Sequence, residues 1–243
     1  ALKTKPDEIV VFGAASEAFS QKNINCSIAE SMELTYTLDS VEQQNWNAAW
    51  ESSFEPVIIN DFAAIRAHFH EPVPNVQHEI VITPKMSFGT GHHATTYLMM
   101  EQMSRIDFAG KSVLDFGTGT GVLAILAEKM GATEIVGIDN DDWSIENAEE
   151  NLQRNQATHI QIQKAEEVVA GKKYDIILAN INLNVITANM KALAESCANG
   201  ATILLSGFLN TDTDQIKASL EANHLQFISF TRQKDWICVL ATV

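Results

Sequence analysis

Residues 113–121 read VLDFGTGTG: an apolar run, an acid, then a glycine at every second position. Gly117, Gly119 and Gly121 can adopt positive φ and let the backbone approach a ligand with no Cβ between them, and a helix starting there presents free N–H groups. A pyrophosphate-binding turn is spaced G-x-G-x-x-G; here the sixth position is Val122, so that fingerprint is not met. Asp139 stands 22 residues past Gly117, the distance at which an acid closing the next strand accepts hydrogen bonds from a ribose. A turn needing glycine only for packing is the alternative, and it gives Asp139 no task. Asn180 ends another apolar run, YDIILAN. An amide there can accept an amine N–H through its oxygen, together with a backbone carbonyl, and aim the nitrogen lone pair; the plainer role is loop capping. Upstream, residues 88–96 read FGTGHHATT, rich in turn and hydroxyl residues. We read a ligand-covering loop with Phe88 and Thr90 as contacts and Thr95 or Thr96 at a helix start, able to donate a hydroxyl to a carboxylate. His92 and His93 make a poor metal pair, because adjacent imidazoles cannot easily meet one ion.

The elements that must position these residues begin near residue 111. Short Val- and Ile-rich runs alternate with amphipathic stretches: SVLDFG then VLAILAEKMG, EIVGIDN then WSIENAEENLQRN, IQIQKA, YDIILANI then a helix through Ala198, ATILLSGF then TDQIKASLEANH. This repetition predicts a mostly parallel sheet with helices on both faces. In such sheets ligands sit outside the carboxyl ends of the strands, where Gly117, Asp139 and Asn180 all emerge. LQFISFTRQ and WICVLATV, a few polar residues apart, predict a terminal hairpin that places an antiparallel strand in the sheet. Before residue 111 the pattern loosens. DSVEQQNWNAAWESSF has Ser40 and Gln43 at capping-box spacing and Trp46 and Trp50 four apart, which predicts a helix closed before Pro56. Residues 1–38 hold two strand-like pieces, EIVVFG and MELTYTL, too little for a strong core of their own.

With 243 residues, 46% of them hydrophobic, the chain can bury one sizeable core and a small second one. No apolar stretch nears the roughly 20 residues that cross a bilayer, and the start has no signal-peptide pattern, so we expect a cytoplasmic protein away from membranes. Cys26, Cys197 and Cys238 are too scattered for a metal clamp or a disulfide framework. A formal charge of −15 argues against direct nucleic-acid binding and for a basic partner.

A seven-stranded sheet with an antiparallel last strand is the usual form of class I S-adenosylmethionine-dependent methyltransferases. VLDFGTGTGVLAILAEKMGA, GIDND and ILANIN resemble that class. FGTGHHATT, with NWNAAWESSF upstream and LSGF downstream, resembles one family within it, the ribosomal protein L11 methyltransferases (PrmA), over roughly residues 38–243. The resemblance implies an α/β fold: a doubly wound, mostly parallel seven-stranded sheet, Rossmann-like, with a small α+β N-terminal domain. Residues 1–38 would be the substrate-docking domain, short for the family and expected to be incomplete, 39–54 a linker helix and 55–243 the methyltransferase domain. It implies methyl transfer from S-adenosylmethionine, leaving S-adenosylhomocysteine, to lysine ε-amino groups, N-terminal α-amino groups or both, on a basic ribosomal protein; we expect a monomer. Thr96, Gly117, Asp139 and Asn180 would contact the cofactor, joined by Gly119, Phe88 and Thr90, with Asn180 also catalytic. A class I methyltransferase acting on another protein or a small molecule shares most of these features. A nicotinamide oxidoreductase is disfavoured by the glycine spacing. A nucleic-acid amino methylase would carry Pro-Pro-aromatic after the Asn, where this chain has Ile181-Asn182-Leu183.

Overall fold

The computed structural model describes residues 54–84, 93–168 and 171–243. The front segment 1–38 and the linker helix expected over 39–54, apart from Phe54, lie outside the described residues, as do Phe88 and Thr90.

Seven strands form the main sheet: β4 (Ser112–Phe116), β5 (Glu134–Asp139), β6 (Ile160–Lys164), β7 (Tyr174–Asn180), β8 (Cys197–Leu209), β9 (Gln226–Gln233) and β10 (Trp236–Thr242). Their order is β6-β5-β4-β7-β8-β10-β9. All neighbours are parallel except β10, which runs antiparallel to both β8 and β9. The chain leaves β4 towards β6, returns to β7 and continues the other way, so the switch point lies between β4 and β7. A crevice therefore opens at their carboxyl ends, where the helices that follow diverge to opposite sides. The terminal hairpin turns at Lys234, with φ 54, and pairs Gln233 with Trp236.

Alternation along the strands feeds two cores. Val113, Ile176, Leu178 and Leu204 face one side; Leu114, Ile177, Ala179, Ile203 and Leu205 face the other. Helices α1 (Ala94–Met103), α2 (Val122–Lys129) and α3 (Asp142–Arg154) cover the first side, and α4 (Leu183–Glu195) and α5 (Thr213–Ala222) the second. Burying each such Leu or Ile contributes about 1.5–3 kcal/mol. The helix expected to run through Ala198 ends at Glu195 instead, and Cys197 already pairs with Tyr174 of β7. Ser196 caps it, and Gly200 at φ 71 bends the irregular start of β8 back into register.

A second sheet precedes these elements: β1 (Val57–Ile59), β2 (Ala63–Ala67) and β3 (His78–Ile82), with β1 antiparallel and β3 parallel to β2. Ile59, Ile65, Ile80 and Ile82 join the core shared by α1 and α2. Beyond β2, the free side of β3 meets α3 through asparagines on successive turns. Asn155 accepts from Val81 N–H (3.0 Å) and donates to Val81 O (2.7 Å); Asn151 accepts from Thr83 N–H (2.8 Å); Asn147 donates to Thr83 O (3.1 Å). Among the described residues no helix is long and apolar enough to cross a membrane.

Candidate active site

β4 runs into the glycine turn, and Gly117, Gly119 and Gly121 all have positive φ, 78, 54 and 77. Gly117 N–H and Thr118 N–H both donate to Ile138 O, at 2.8 and 2.9 Å, which ties the turn to the end of β5. Gly121 is the N-cap of α2 and supplies no side chain, so the helix opens towards the crevice with its first N–H groups uncapped by a side chain. A Cβ on Gly121 would sit 3.2 Å from Leu152 Cδ1 and 3.4 Å from Ala148 Cβ, so this third glycine serves close packing against α3.

Asp139 closes β5 beside the turn. Its Oδ2 accepts from Gly119 N–H at 2.9 Å and its Oδ1 from Asp141 N–H at 3.1 Å. Asp141 in turn caps α3, accepting from Ser144 N–H at 3.0 Å. Each oxygen of Asp139 is thus aimed by one backbone donor and keeps further acceptor capacity towards the crevice. Beneath the turn lies Asp115, 1% exposed, accepting from Thr118 Oγ1 at 2.7 Å. Burial pushes its carboxyl up to about 7, and the charge of Asp139 pushes the same way.

Asn180 ends β7, is 7% exposed, and its Nδ2 donates to Thr96 Oγ1 at 3.2 Å. The two residues expected to serve different ends of the site are therefore bonded to each other. Thr96 still has its own hydroxyl proton to donate, while Asn180 Oδ1 is buried with no hydrogen-bond partner among the described residues. At the start of α1, His93 is the N-cap, its Nδ1 accepting from Thr95 N–H at 3.3 Å. Its ring meets Trp236 edge-on, centroids 4.5 Å apart, and burial lowers its pKa below 6.5.

A cavity of about 370 Å³ opens here, with Thr96, Gly117, Gly119, Asp139 and Asn180 all on its wall. Five of the seven residues singled out from the sequence are thereby brought together; Phe88 and Thr90 are outside the described residues. Thr118, Ile181, Gly207 and Trp236 also line it and were not foreseen as site residues. Thr118, Ile181 and Gly207 lie within the quoted VLDFGTGTG, ILANIN and LSGF stretches; Trp236 arrives through the return of the terminal hairpin.

A family model described as Ribosomal protein L11 methyltransferase (PrmA) matches residues 7–243. The chain is 37% identical over 209 residues to the ribosomal protein L11 methyltransferase of Phocaeicola vulgatus, a match covering 85% of this chain and 74% of that one. With the protein of the same name from Chlorobaculum parvum it shares 42% identity over 212 residues, 84% of this chain and 73% of that one. The crystal structure of ribosomal protein L11 methylase from Lactobacillus delbrueckii subsp. bulgaricus superposes with a TM-score of 0.72 at 29% identity, covering 77% of this chain and 98% of that one. A cleft at the switch point of a seven-stranded sheet and a match spanning nearly the whole chain lead to one conclusion: the chain belongs to the ribosomal protein L11 methyltransferase (PrmA) family, and is a methyltransferase of the S-adenosylmethionine-dependent class I fold.

Proposed function

We propose that this chain methylates amino groups of ribosomal protein L11, lysine ε-amino groups, N-terminal α-amino groups or both, using S-adenosylmethionine. The observation that carries the chemistry is Asn180 Oδ1, a buried acceptor on the wall of the cavity with no partner among the described residues. An unmet buried acceptor is costly, about 1–3 kcal/mol, and an arriving N–H donor would relieve it. The cavity also fits the cofactor: its volume lies in the range of small-molecule sites, and the glycine turn offers backbone without side chains. Asp139 would hold the ribose, the glycine turn the adjoining backbone contacts, and the Thr96 hydroxyl the carboxylate. Bound S-adenosylmethionine supplies a methyl group on a positively charged sulfur.

The protein's own task is to present a neutral amine. Holding a lysine of pKa 10.4 neutral at pH 7 costs about 4.6 kcal/mol, and an α-amino group near 7.8 only about 1 kcal/mol. Val122, Leu123, Ile181 and Trp236 give the cavity apolar walls that disfavour the ammonium form. Asn180 Oδ1 accepts one amine N–H and turns the lone pair, with its own amide held by Thr96. Asn180 has no proton-accepting capacity of use here, so the released proton goes to solvent. In this proposal residues 1–38 dock the substrate, 39–54 link, and 55–243 perform transfer, while the net charge of −15 favours a basic protein partner.

Incubation with labelled S-adenosylmethionine and unmethylated L11, followed by mass mapping, tests the proposal. Label on L11 amines is expected. Cofactor binding with no methyl on L11 would assign the chain to a different acceptor.

A further inference from the structure

Asn180 can orient an amine only if the chain around it is held still; its Nδ2 is tied to Thr96, but among the described residues its Oδ1 has no hydrogen-bond partner. The next residue, Ile181, is gripped from two sides. On the glycine-turn side, a Cβ on Gly117 would lie 2.9 Å from Ile181 Cδ1 and 3.2 Å from Ile181 Cβ. On the β8 side, a Cβ on Gly207 would fall on the Ile181 carbonyl oxygen, 2.6 Å from its carbonyl carbon and 2.8 Å from its nitrogen. Both glycines have positive φ, 78 and 100, and both line the cavity, so neither contact is incidental to the site. Ile181 N–H also donates to Ser206 O at 3.1 Å, the residue before Gly207. The side chain of Ile181 therefore rests on the turn that would seat the cofactor, while its backbone rests on β8.

We infer that Ile181 is a positioning residue: wedged between Gly117 and Gly207, it sets where Asn180 stands relative to the glycine turn. This rests on the proposed amine methylation for its rate measurement but not for its structural arm. Truncating the side chain removes the contact with Gly117 and lets the 180–182 turn shift; adding a Cβ at Gly207 pushes the same turn from the opposite side. A misplacement of about 1 Å costs roughly 100-fold in rate where positioning dominates.

The test compares Ile181→Ala, Ile181→Val and Gly207→Ala with the wild type, counting active sites by titration with S-adenosylhomocysteine. We expect Ile181→Ala to lower kcat per binding site by about 10- to 100-fold, with S-adenosylhomocysteine affinity and the KM for L11 held within about threefold. Ile181→Val should recover most of the loss, and Gly207→Ala, where it folds, should reproduce it. A purely structural role would reduce the number of sites but not the rate per site. Wild-type kcat per site in Ile181→Ala overturns the inference, as does a fall in cofactor affinity that matches the fall in rate. The second arm needs no acceptor protein: hydrogen exchange of the residue-181 amide in Ile181→Ala should quicken about tenfold relative to that of Leu204, and an unchanged rate overturns the inference. A wild type that transfers nothing to L11 counts against the proposed function, and the exchange arm still decides the role of Ile181.

Discussion

Replacing Asp115 with Asn should change how stability depends on pH, in a direction opposite to that of most carboxylates. Asp115 lies under the glycine turn at 1% exposure, and burial lifts its pKa from an ordinary 3.8 to about 7. Between those values the native protein holds a proton that the unfolded chain has released. The native state then binds more protons than the unfolded one, so stability falls as pH rises through this window and levels off above it. The gap of about 3 pH units, at 1.36 kcal/mol each, amounts to on the order of 4 kcal/mol. Asn keeps an oxygen for the 2.7 Å bond from Thr118 Oγ1 and cannot ionise. Urea unfolding of both proteins at pH 5 and pH 8 isolates the effect, because other titrating groups and any constant cost of the new amide cancel in the comparison. The variant should gain roughly 2–3 kcal/mol on the wild type between the two pH values. An unchanged stability difference would show that Asp115 is not protonated in the native protein near neutrality.

Asp139→Ala should weaken S-adenosylmethionine binding by about 1.5–3 kcal/mol with the fold retained, and calorimetry showing unchanged affinity would remove Asp139 from the cofactor site. Asn180→Ala should slow transfer by tens- to hundreds-fold, about 2–3 kcal/mol, and more for a lysine than for an α-amino acceptor, since lysine needs about 3.5 kcal/mol more help. Single-turnover rates on the two amine types check this, and equal losses would leave Asn180 as a wall of the pocket only. Asn151→Ala should cost about 2–4 kcal/mol of stability in chemical denaturation, because it removes the bonds of the amide with Thr83 N–H and Thr120 O, at 2.8 and 2.9 Å. A loss below about 0.5 kcal/mol would mean water replaces both bonds.

The parallel sheet was readable because its strands, buried on both faces, are Val- and Ile-rich runs punctuated by glycine and acid. Gly117, Asp139 and Asn180 could be placed at one end of it by chain order alone, since every parallel strand presents its carboxyl end on the same side. The small sheet was not readable: AAIRA has neither alternation nor β-branched density, and it is a strand paired on both sides, with β1 and β3, whose Ala63 and Ile65 join the core. The bond from Asn180 to Thr96 spans 84 positions in the chain, and the grip on Ile181 joins a turn after β4 to a bend in β8. Contacts of that kind depend on which strands neighbour each other and leave no local periodicity. The asparagines 147, 151 and 155 did leave one, a polar residue every fourth position on a buried helix face, and that pattern could have announced a helix bonded to a backbone rather than to side chains.

That asparagine row has a consequence for how the protein behaves among other copies of itself. A sheet's outer strand ordinarily offers a comb of unmet N–H and C=O groups on which a foreign strand can grow, the first step of aggregation. At the end of β3 the outward groups of Val81 and, just beyond it, Thr83 are already answered by side-chain amides from α3 and its C-cap Asn155. A helix thus stands in for the missing neighbour strand, and because it is covalently part of the chain, no intruder can outcompete it without first unfolding α3. Growth from this side of the small sheet is therefore gated by the stability of a helix, whereas β9, with Ile228 and Phe230 exposed at 48% and 42%, is the strand on which protection should be engineered first.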